Sequence, residues 1–591
     1  MKKKMLSLLL TASMAVGMLA GCGNNAGKGN AGDSSAAENE KYAKEITIDV
    51  FDSEANYQGI QTGWFAQIVK EKFNMKLNII APNVAGGGDT LFQTRSAAGN
   101  LGDLIICNTS NGKLSNLVKA GLLLDMTDYI KDEENITKYQ SAIDSMKSLA
   151  GDDKGIYAIP SEVSENAPTE ASVGLEPSYG PYIRWDYYKE VGYPEMNNLD
   201  DLLDTMQKMQ EKAREDEGTD DIYAFSLFKD WDRNMMTLAR NITCMYGYDE
   251  AGIALNANDG SDVSSTIDDN GIYKKALEFL YKANQMGLVD PESTTQNYDT
   301  MYQKLKSGKC LFSFWSWMGQ GAFNTPDNTA AGKGFKLAPV KDMKIGVNGC
   351  RVNGNQEIAV MIGSQTEDPQ RIADFVDWLY SPEGIMANQA NGTSGTCGPE
   401  NLTWEEKDGQ PVLTDFGKKA LSGDDVDVPD EWGGGKWQDG VSTLNVTLVN
   451  AVDTNPVNNE PYMYTLWKST IEDNKTALDE DWNNKMGSDS AIDYLKANNM
   501  LDIAPGDSYV APEEDSMITN LRSQCGASLT EYSWKMAFAD DQKSFDSLFK
   551  DLQKTLTGLD YDTLFENDKE QAEAKTQARE DVVKQYEESS K

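Results

Sequence analysis

Two hydrophobic periods alternate between Glu45 and Cys107. Glu45 to Phe51 (EITIDVF) is β-branched and apolar at every second position, Met75 to Ile80 repeats that pattern, and Asp103 to Cys107 (DLIIC) is a short apolar run. Between them, Gly63 to Phe73 carries Trp64, Ile68 and Phe73 at helical spacing, and Thr90 to Ala98 reads as a second helix. A period of two places alternate side chains on one face of a strand, whereas a period near 3.6 gathers them on one stripe of a helix. Strand, helix, strand, helix, strand predicts a parallel sheet with right-handed crossovers and helices on its faces. Ligands of such sheets sit beyond the carboxyl ends of the strands, here Asp52 to Asn56 and Asn108 to Asn111. Gly86-Gly87-Gly88 lacks the lysine and hydroxyl residue of a P-loop and the spacing of a dinucleotide fingerprint, so it reads as a turn.

Further along, Lys113 to Ala120 is helical, Pro181 to Trp185 is a strand, and Leu199 to Lys212 is an amphipathic helix after the cap Asn198. Pro160, Pro168, Pro177 and Pro181 punctuate one stretch; Pro339, Gly346, Gly349 and Gly354 punctuate another. Helices are predicted over 470–486, 491–498, 517–538 and 542–555, with a terminal surface helix over 570–588. The start of the chain is different. Lys2, Lys3 and Lys4 precede an uncharged run from Met5 to Leu19, shorter than the ~20 apolar residues of a spanning helix, which reads as a secretory signal. Leu19-Ala20-Gly21-Cys22 resembles the lipobox of bacterial lipoproteins, implying a signal peptide over 1–21 and a lipidated Cys22. Residues 23–44, rich in Gly, Asn and Ser, read as a flexible tether to the outer face of the membrane.

Composition narrows the chemistry. The chain of 591 residues has a net charge of −40 and no histidine. The charge disfavours nucleic acid and anionic lipid as partners. Without imidazole there is no Ser-His-Asp triad, no Cys-His pair and no HExxH zinc site. Glycoside hydrolysis by paired carboxylates and calcium binding through oxygen survive this filter. The acidic turn Glu215 to Asp221 (EDEGTDD) lacks calcium-loop spacing, and Asp453, Asn455, Asn458, Asn459 and Glu460 form an oxygen-rich patch of no recognised pattern. Neither a metal nor a cofactor is assigned. Cys107, Cys244, Cys310, Cys350, Cys397 and Cys525 are scattered, without CxxC spacing, and read as mostly free, buried thiols.

The runs DLIICNTSNGKLSNLVKAGLLLDMTDYI, KGIYAIPSE, YIRWDYYKEVGYPEMNNLDDLLDTMQKMQEK, MGLVDPES, KLKSGKCLFSFWSW and PQRIADFVDWLYSPEGIMANQANGTSG follow one another from Asp103 to Gly395. In this order they resemble the solute-binding lipoproteins of bacterial ABC importers, in the maltose-binding-protein-like, LipO-like branch that serves oligosaccharides. The resemblance implies an α/β, two-lobe periplasmic-binding-protein-like fold: parallel or mixed sheets flanked by helices, a hinge, and added C-terminal helices. Lobe 1 would take residues 45–160 and 337–398; lobe 2 would take 161–336 and 399–591. It also implies a monomeric, non-enzymatic receptor that closes on an oligosaccharide and delivers it to an ABC transporter permease. A surface-anchored glycoside hydrolase, or the same fold binding peptides, are the alternatives.

A sugar offers an apolar C–H face and polar edges, so its site needs aromatic platforms and planar hydrogen-bonding groups. The candidate platforms are Trp185, Trp231, Trp315, Trp317, Trp432 and Trp437, with Tyr57, Trp64 and Tyr182 behind them. Candidate polar partners are Asp52, Glu54, Asn56, Asn108, Arg184, Asp232, Arg351 and Asn391. Phe314-Trp315-Ser316-Trp317 predicts a strand that presents both indoles on one face, ahead of a turn at Gly319. Trp432 to Trp437 places two rings on a glycine-rich loop, where mobile ligand covers lie.

Overall fold

The computed structural model describes residues 41–84, 88–390 and 395–589. The signal segment, Cys22, most of the tether, Gly86, Gly87 and Asn391 lie outside the described residues.

The first lobe is built on a six-stranded sheet in the order Gly59–Ile60, Met75–Ile80, Ile46–Asp52, Leu104–Asn108, Asn355–Ile362 and Ile159–Ser161. Ile46–Asp52 runs parallel to both its neighbours, as the alternating pattern predicts. Asn355–Ile362 returns antiparallel to Leu104–Asn108 and makes the sheet mixed. The apolar run at Leu104 is buried on both faces because two cores need it. Leu104 and Ile106 join Trp64, Phe65 and Val69 of the helix Gly63–Phe73, while Ile105 and Cys107 join Leu114 and Leu117 on the other side. That helix stops where Asn74 turns left-handed at φ 44°.

The second lobe has a smaller sheet, of three antiparallel strands: Phe312–Trp315, Tyr179–Arg184 and Phe335–Leu337. Helices supply most of its core. In Leu199–Glu217, Asn198 accepts from the Asp200 and Asp201 backbone amides at one end and Gly218 turns left-handed at the other. The helix therefore continues through Glu217, so the acidic turn is shorter than its sequence suggested.

The long C-terminal region divides between the lobes. Leu402, Trp404, Trp437, Leu444, Leu448 and Trp467 pack into the first core; from Leu478 onward the chain joins the second. Residues 399–467 thus depart from the expected boundary, because their large rings are buried against the six-stranded sheet's core, and the chain crosses between the lobes three times. The helices Ser516–Ala537, Gln542–Gly558 and Tyr561–Ser589 complete the second core with Trp534, Phe545, Phe549, Leu556 and Leu564. The last of these is more than a surface helix, since it buries Asp568 and Arg579.

Where the first two crossings meet, a pass of the C-terminal region joins them. Ile345–Asn348 pairs parallel with Leu501–Ala504, the Gly349 amide donates to Ala504 O at 2.7 Å, and the Gly506 amide donates to Pro168 O at 2.9 Å. A Cβ on Gly349 would lie 1.9 Å from Pro168 O, and one on Gly506 would lie 1.9 Å from Cys350 O. Only glycine allows passes this close. The six cysteines from Cys107 to Cys525 are free and buried; burial pushes the thiols of Cys107, Cys244 and Cys310 up to about 12. No helix among the described residues is long and apolar enough to cross a membrane.

Candidate functional site

The first two crossings and the segment that leads into the third line a crevice between the lobes. Its middle is a cavity of about 510 Å³, lined from one side by Glu162, Arg351 and Asn450 and from the other by Glu176, Trp317 and Gln320. A second cavity, of about 830 Å³, opens beyond Trp317 and is lined by Tyr179, Trp231, Asp232, Arg240, Glu250 and Trp315. A third, of about 380 Å³, lies between Asn355 and Glu357 of the first lobe and Tyr509, Arg522 and Lys575 of the C-terminal region. Trp317 belongs to the first two, Arg351 to the first and third, and Glu250 to the second and third. The three cavities therefore adjoin along the crevice.

Its aromatic wall comes from the FWSW run, by a different geometry from the one expected. The strand ends at Trp315, and Ser316 begins the helix Ser316–Phe323, so the two indoles leave different elements. Gly319 lies inside that helix and not in a turn; it sits so close to the strand that a Cβ there would meet Ser313 Cβ at 2.7 Å. The rings nevertheless converge at 5.9 Å, and Trp231 joins them at 5.6 Å from Trp315 and 6.0 Å from Trp317. Tyr298 stacks on Trp231 at 4.7 Å. Trp315 is 5% exposed and anchors the group, while Trp231 and Trp317 are 36% and 49% exposed.

Among the predicted polar partners, Arg351 lines the crevice with its guanidinium 2.8 Å from Glu162 Oε2. Asp232 also lines it, but its oxygens serve the fold. One accepts from the Thr237 amide at 2.8 Å and the other from Trp534 Nε1 at 2.6 Å, and burial raises its pKa. Tyr179, Arg240, Glu250, Glu162, Glu176 and Gln320 were not anticipated. Arg240 donates to the Tyr179 hydroxyl at 3.2 Å and lies 3.8 Å from Glu250, whose pKa burial raises. One Glu176 carboxylate oxygen is buried with no hydrogen-bond partner; burial is also the main cause of its raised pKa.

The remaining candidates lie elsewhere. Trp185 is in the second core, its Nε1 donating to Asp481 at 2.8 Å and its ring 5.2 Å from Tyr188. Arg184 makes a two-pronged pair with Asp186 at 2.9 and 2.6 Å and lies over the Phe323 ring at 3.9 Å. Trp437 stacks on Trp64 in the first core, centroids 4.7 Å apart and planes within 7°. Trp432 is half-buried against the same core, and its glycine loop is tied down by hydrogen bonds from Val428 to Gly435 and from Trp437 to Val426. Tyr182 is buried with its hydroxyl on Pro177 O, and the Tyr57 hydroxyl donates to Ile60 O. Glu54, Asn56 and Asn108 line none of the three cavities. The Glu54 amide is bound by Asp52, its carbonyl accepts from Asn445, and Asn108 accepts from the Ser110 amide, so this group organises loops at the strand ends.

The oxygen-rich patch is also architectural. Asp453 accepts from Ser164 Oγ at 2.6 Å, the Glu165 amide at 2.7 Å and Asn166 Nδ2 at 3.0 Å, fixing the first crossing; burial pushes its carboxyl up to about 6. Asn455 and Asn459 close a turn through backbone bonds. Among the described residues, no group of three or more Cys, Asp or Glu is placed to hold a metal ion.

Comparison with known proteins bears on the whole of this architecture. No curated protein matches the sequence. Among solved structures, the fold is similar to an HMO-binding, ABC-transporter-associated solute-binding protein from Bifidobacterium longum infantis, at 14% identity over 90% of this chain and 99% of that one, with a TM-score of 0.55. It is similar to the S. pneumoniae ABC-transporter substrate-binding protein FusA in complex with kestose, at 15% identity over 89% and 99% of the two chains, TM-score 0.57. It is also similar to the alginate-binding protein AlgQ2, at 15% identity over 91% and 98%, TM-score 0.53. A model of the family described as bacterial extracellular solute-binding protein matches residues 58–386, more than half of the chain. The chain belongs to the bacterial extracellular solute-binding proteins.

Proposed function

We propose that the crevice binds an oligosaccharide and that the protein delivers it, chemically unchanged, to the membrane subunits of an ABC importer. The observation that carries this reading is the half-exposed pair Trp231 and Trp317, held over Trp315 on the wall of a crevice that both lobes line. Indole faces suit the C–H faces of sugar rings, and the amides and carboxylates around them suit hydroxyl groups. The neighbours in complex with kestose and named as HMO-binding support the same ligand class.

Binding works through differential affinity. A sugar that touches Trp317 on one lobe and Arg351 or Asn450 on the other gains contacts when the lobes approach, and turning a 1:99 population into 99:1 takes about 5.5 kcal/mol. The closed form then offers the permease a different surface. In this reading Cys22 carries the lipid, the tether spans the distance to the membrane, and the receptor works as a monomer on its outer face.

The test is calorimetric titration of the chain from residue 23 onward with neutral and acidic oligosaccharides, followed by chromatography of the sugar. Saturable binding with the sugar recovered intact supports the receptor. Cleaved sugar would replace it with a glycoside hydrolase, and binding of peptides but not sugars would keep the fold and change the ligand.

A further inference from the structure

Resting on the oligosaccharide reading, we propose that the crevice selects uncharged sugars and rejects those bearing carboxylate, sulfate or phosphate groups. Recognition of an anionic sugar needs a guanidinium or ammonium free to pair with it. Here every cation that lines the crevice but one is already engaged. Arg351 is held by Glu162 at 2.8 Å, in the middle cavity. Arg240 lies 3.8 Å from Glu250, and Lys575 lies 3.7 Å from Asp249. Arg522 takes Asp568 through two bonds, at 2.8 and 2.5 Å, and Glu514 as well. Arg233 alone has no ion pair among the described residues, and it stands in a cavity that Asp230, Asp232 and Glu250 also line.

The acidic groups are in the opposite position. Asp230, Asp232 and Glu357 line the same crevice with no cation within ion-pair distance among the described residues. Their hydrogen bonds come from neutral groups: Asp230 accepts from the Tyr298 amide and Asp232 from Trp534. In the middle cavity Glu176, whose other oxygen lies 3.8 Å from Lys336, keeps one buried oxygen without a hydrogen-bond partner, an acceptor that a sugar hydroxyl can satisfy. Placing an anionic sugar here would set like charges face to face in a cleft of a protein whose net charge is already −40. Hydroxyl groups meet no such obstacle, because a carboxylate accepts from them and the Gln320 and Asn450 amides both donate and accept.

The experiment compares size-matched ligands on the same protein: a panel of neutral tri- and tetrasaccharides (gluco-, fructo- and manno-configured) against oligogalacturonate tetramer and the trisaccharide sialyllactose, titrated at low and at high ionic strength. At least one neutral sugar should bind, nearly independently of salt, with the acidic probes weaker by at least about tenfold and least weak at high salt. An acidic probe that binds as tightly as the best neutral one overturns the selection while leaving the receptor standing. Failure of every sugar, neutral and acidic alike, removes both. Glu162→Gln supplies a second readout. Releasing Arg351 should move the ratio of acidic to neutral affinity severalfold toward the acidic probe; an unmoved ratio would show that the ion pair does not mask Arg351 and would overturn the argument.

Discussion

Trp64 and Trp437 stack almost parallel at 4.7 Å inside the first lobe, whereas Trp231 and Trp317 meet at 6.0 Å and 37° on the wall of the crevice. The first pair spends both ring faces on the protein. Trp64 is enclosed by Phe65 and Trp437, and its Nε1 donates to Trp437 O at 3.2 Å. The second pair is only partly spent: Tyr298 covers Trp231 and Trp315 supports both rings, yet about half of Trp317 remains open to solvent. Four indoles thus divide into two that hold a core together and two that are held in place for something else. The difference lies in how the rings are enclosed, not in residue type.

The largest effect that separates the pairs is on stability. Trp437→Ala should lower the unfolding free energy by about 3–5 kcal/mol, the usual loss for a buried large-to-small change, measured as a drop in the urea midpoint. A loss below about 1 kcal/mol would place the 432–437 loop off the core and return Trp437 to the ligand candidates. Next in size is a buried polar group near the first crossing. Burial lifts the Asp453 carboxyl from its ordinary 3.8 to about 6. A raised folded-state value means the folded protein holds this proton more tightly, so its contribution to stability is complete below about pH 4 and is lost as the pH rises through about 6. At roughly 1.4 kcal/mol per unit the effect is on the order of 3 kcal/mol. Wild type should therefore lose stability relative to Asp453→Asn between about pH 3.5 and 6.5, in urea titrations at each pH. A gap that stays constant across that range would contradict it.

The hinge comes third. Gly349→Ala places a methyl group 1.9 Å from Pro168 O and should cost about 1–3 kcal/mol, as overpacking does. Thermal unfolding reads this directly. An unchanged melting temperature would mean that the crossings can separate at little cost, and that the two aromatic regions are less rigidly related than the contacts suggest.

How far the sequence foretold this division follows the range of the interactions. Ile46–Asp52, Gly63–Phe73, Met75–Ile80 and Leu104–Asn108 are legible because each is set by its own periodicity and its neighbours. The tryptophans are not, since what encloses them is distant. Trp64 bonds to a carbonyl 373 residues away, and Trp185 to a carboxylate 296 residues away. The placement of residues 399–467 was hidden for the same reason: its elements are short, and nothing in their pattern names the core they will join. Arg351, Trp231, Trp315 and Trp317 line one crevice, but the backbone that places the last two changes from strand to helix inside FWSW. A rule of alternation cannot foresee that change. Glu162, Glu176, Tyr179, Arg240 and Glu250 give no local signal at all, because only the packing of distant segments brings them to one crevice.

The smallest effect on stability is the one that bears most on the second pair. Trp317→Ala removes a ring already half in solvent, so the unfolding free energy from urea titration should change by no more than about 0.5 kcal/mol. If the open face is a platform, the affinity of the best-binding sugar should fall by roughly threefold to tenfold, corresponding to about 0.7–1.4 kcal/mol. Trp231→Ala should behave differently, because that ring also supports Tyr298, Phe228 and Trp315. It should cost both affinity and about 1–2 kcal/mol of stability. Trp317 marks the boundary between the middle cavity and the larger one, so its loss should weaken a sugar long enough to occupy both more than one that fits in either. Equal losses for short and long sugars would confine the ligand to one side of the indole, and no loss for either would leave the exposed pair without a role in binding.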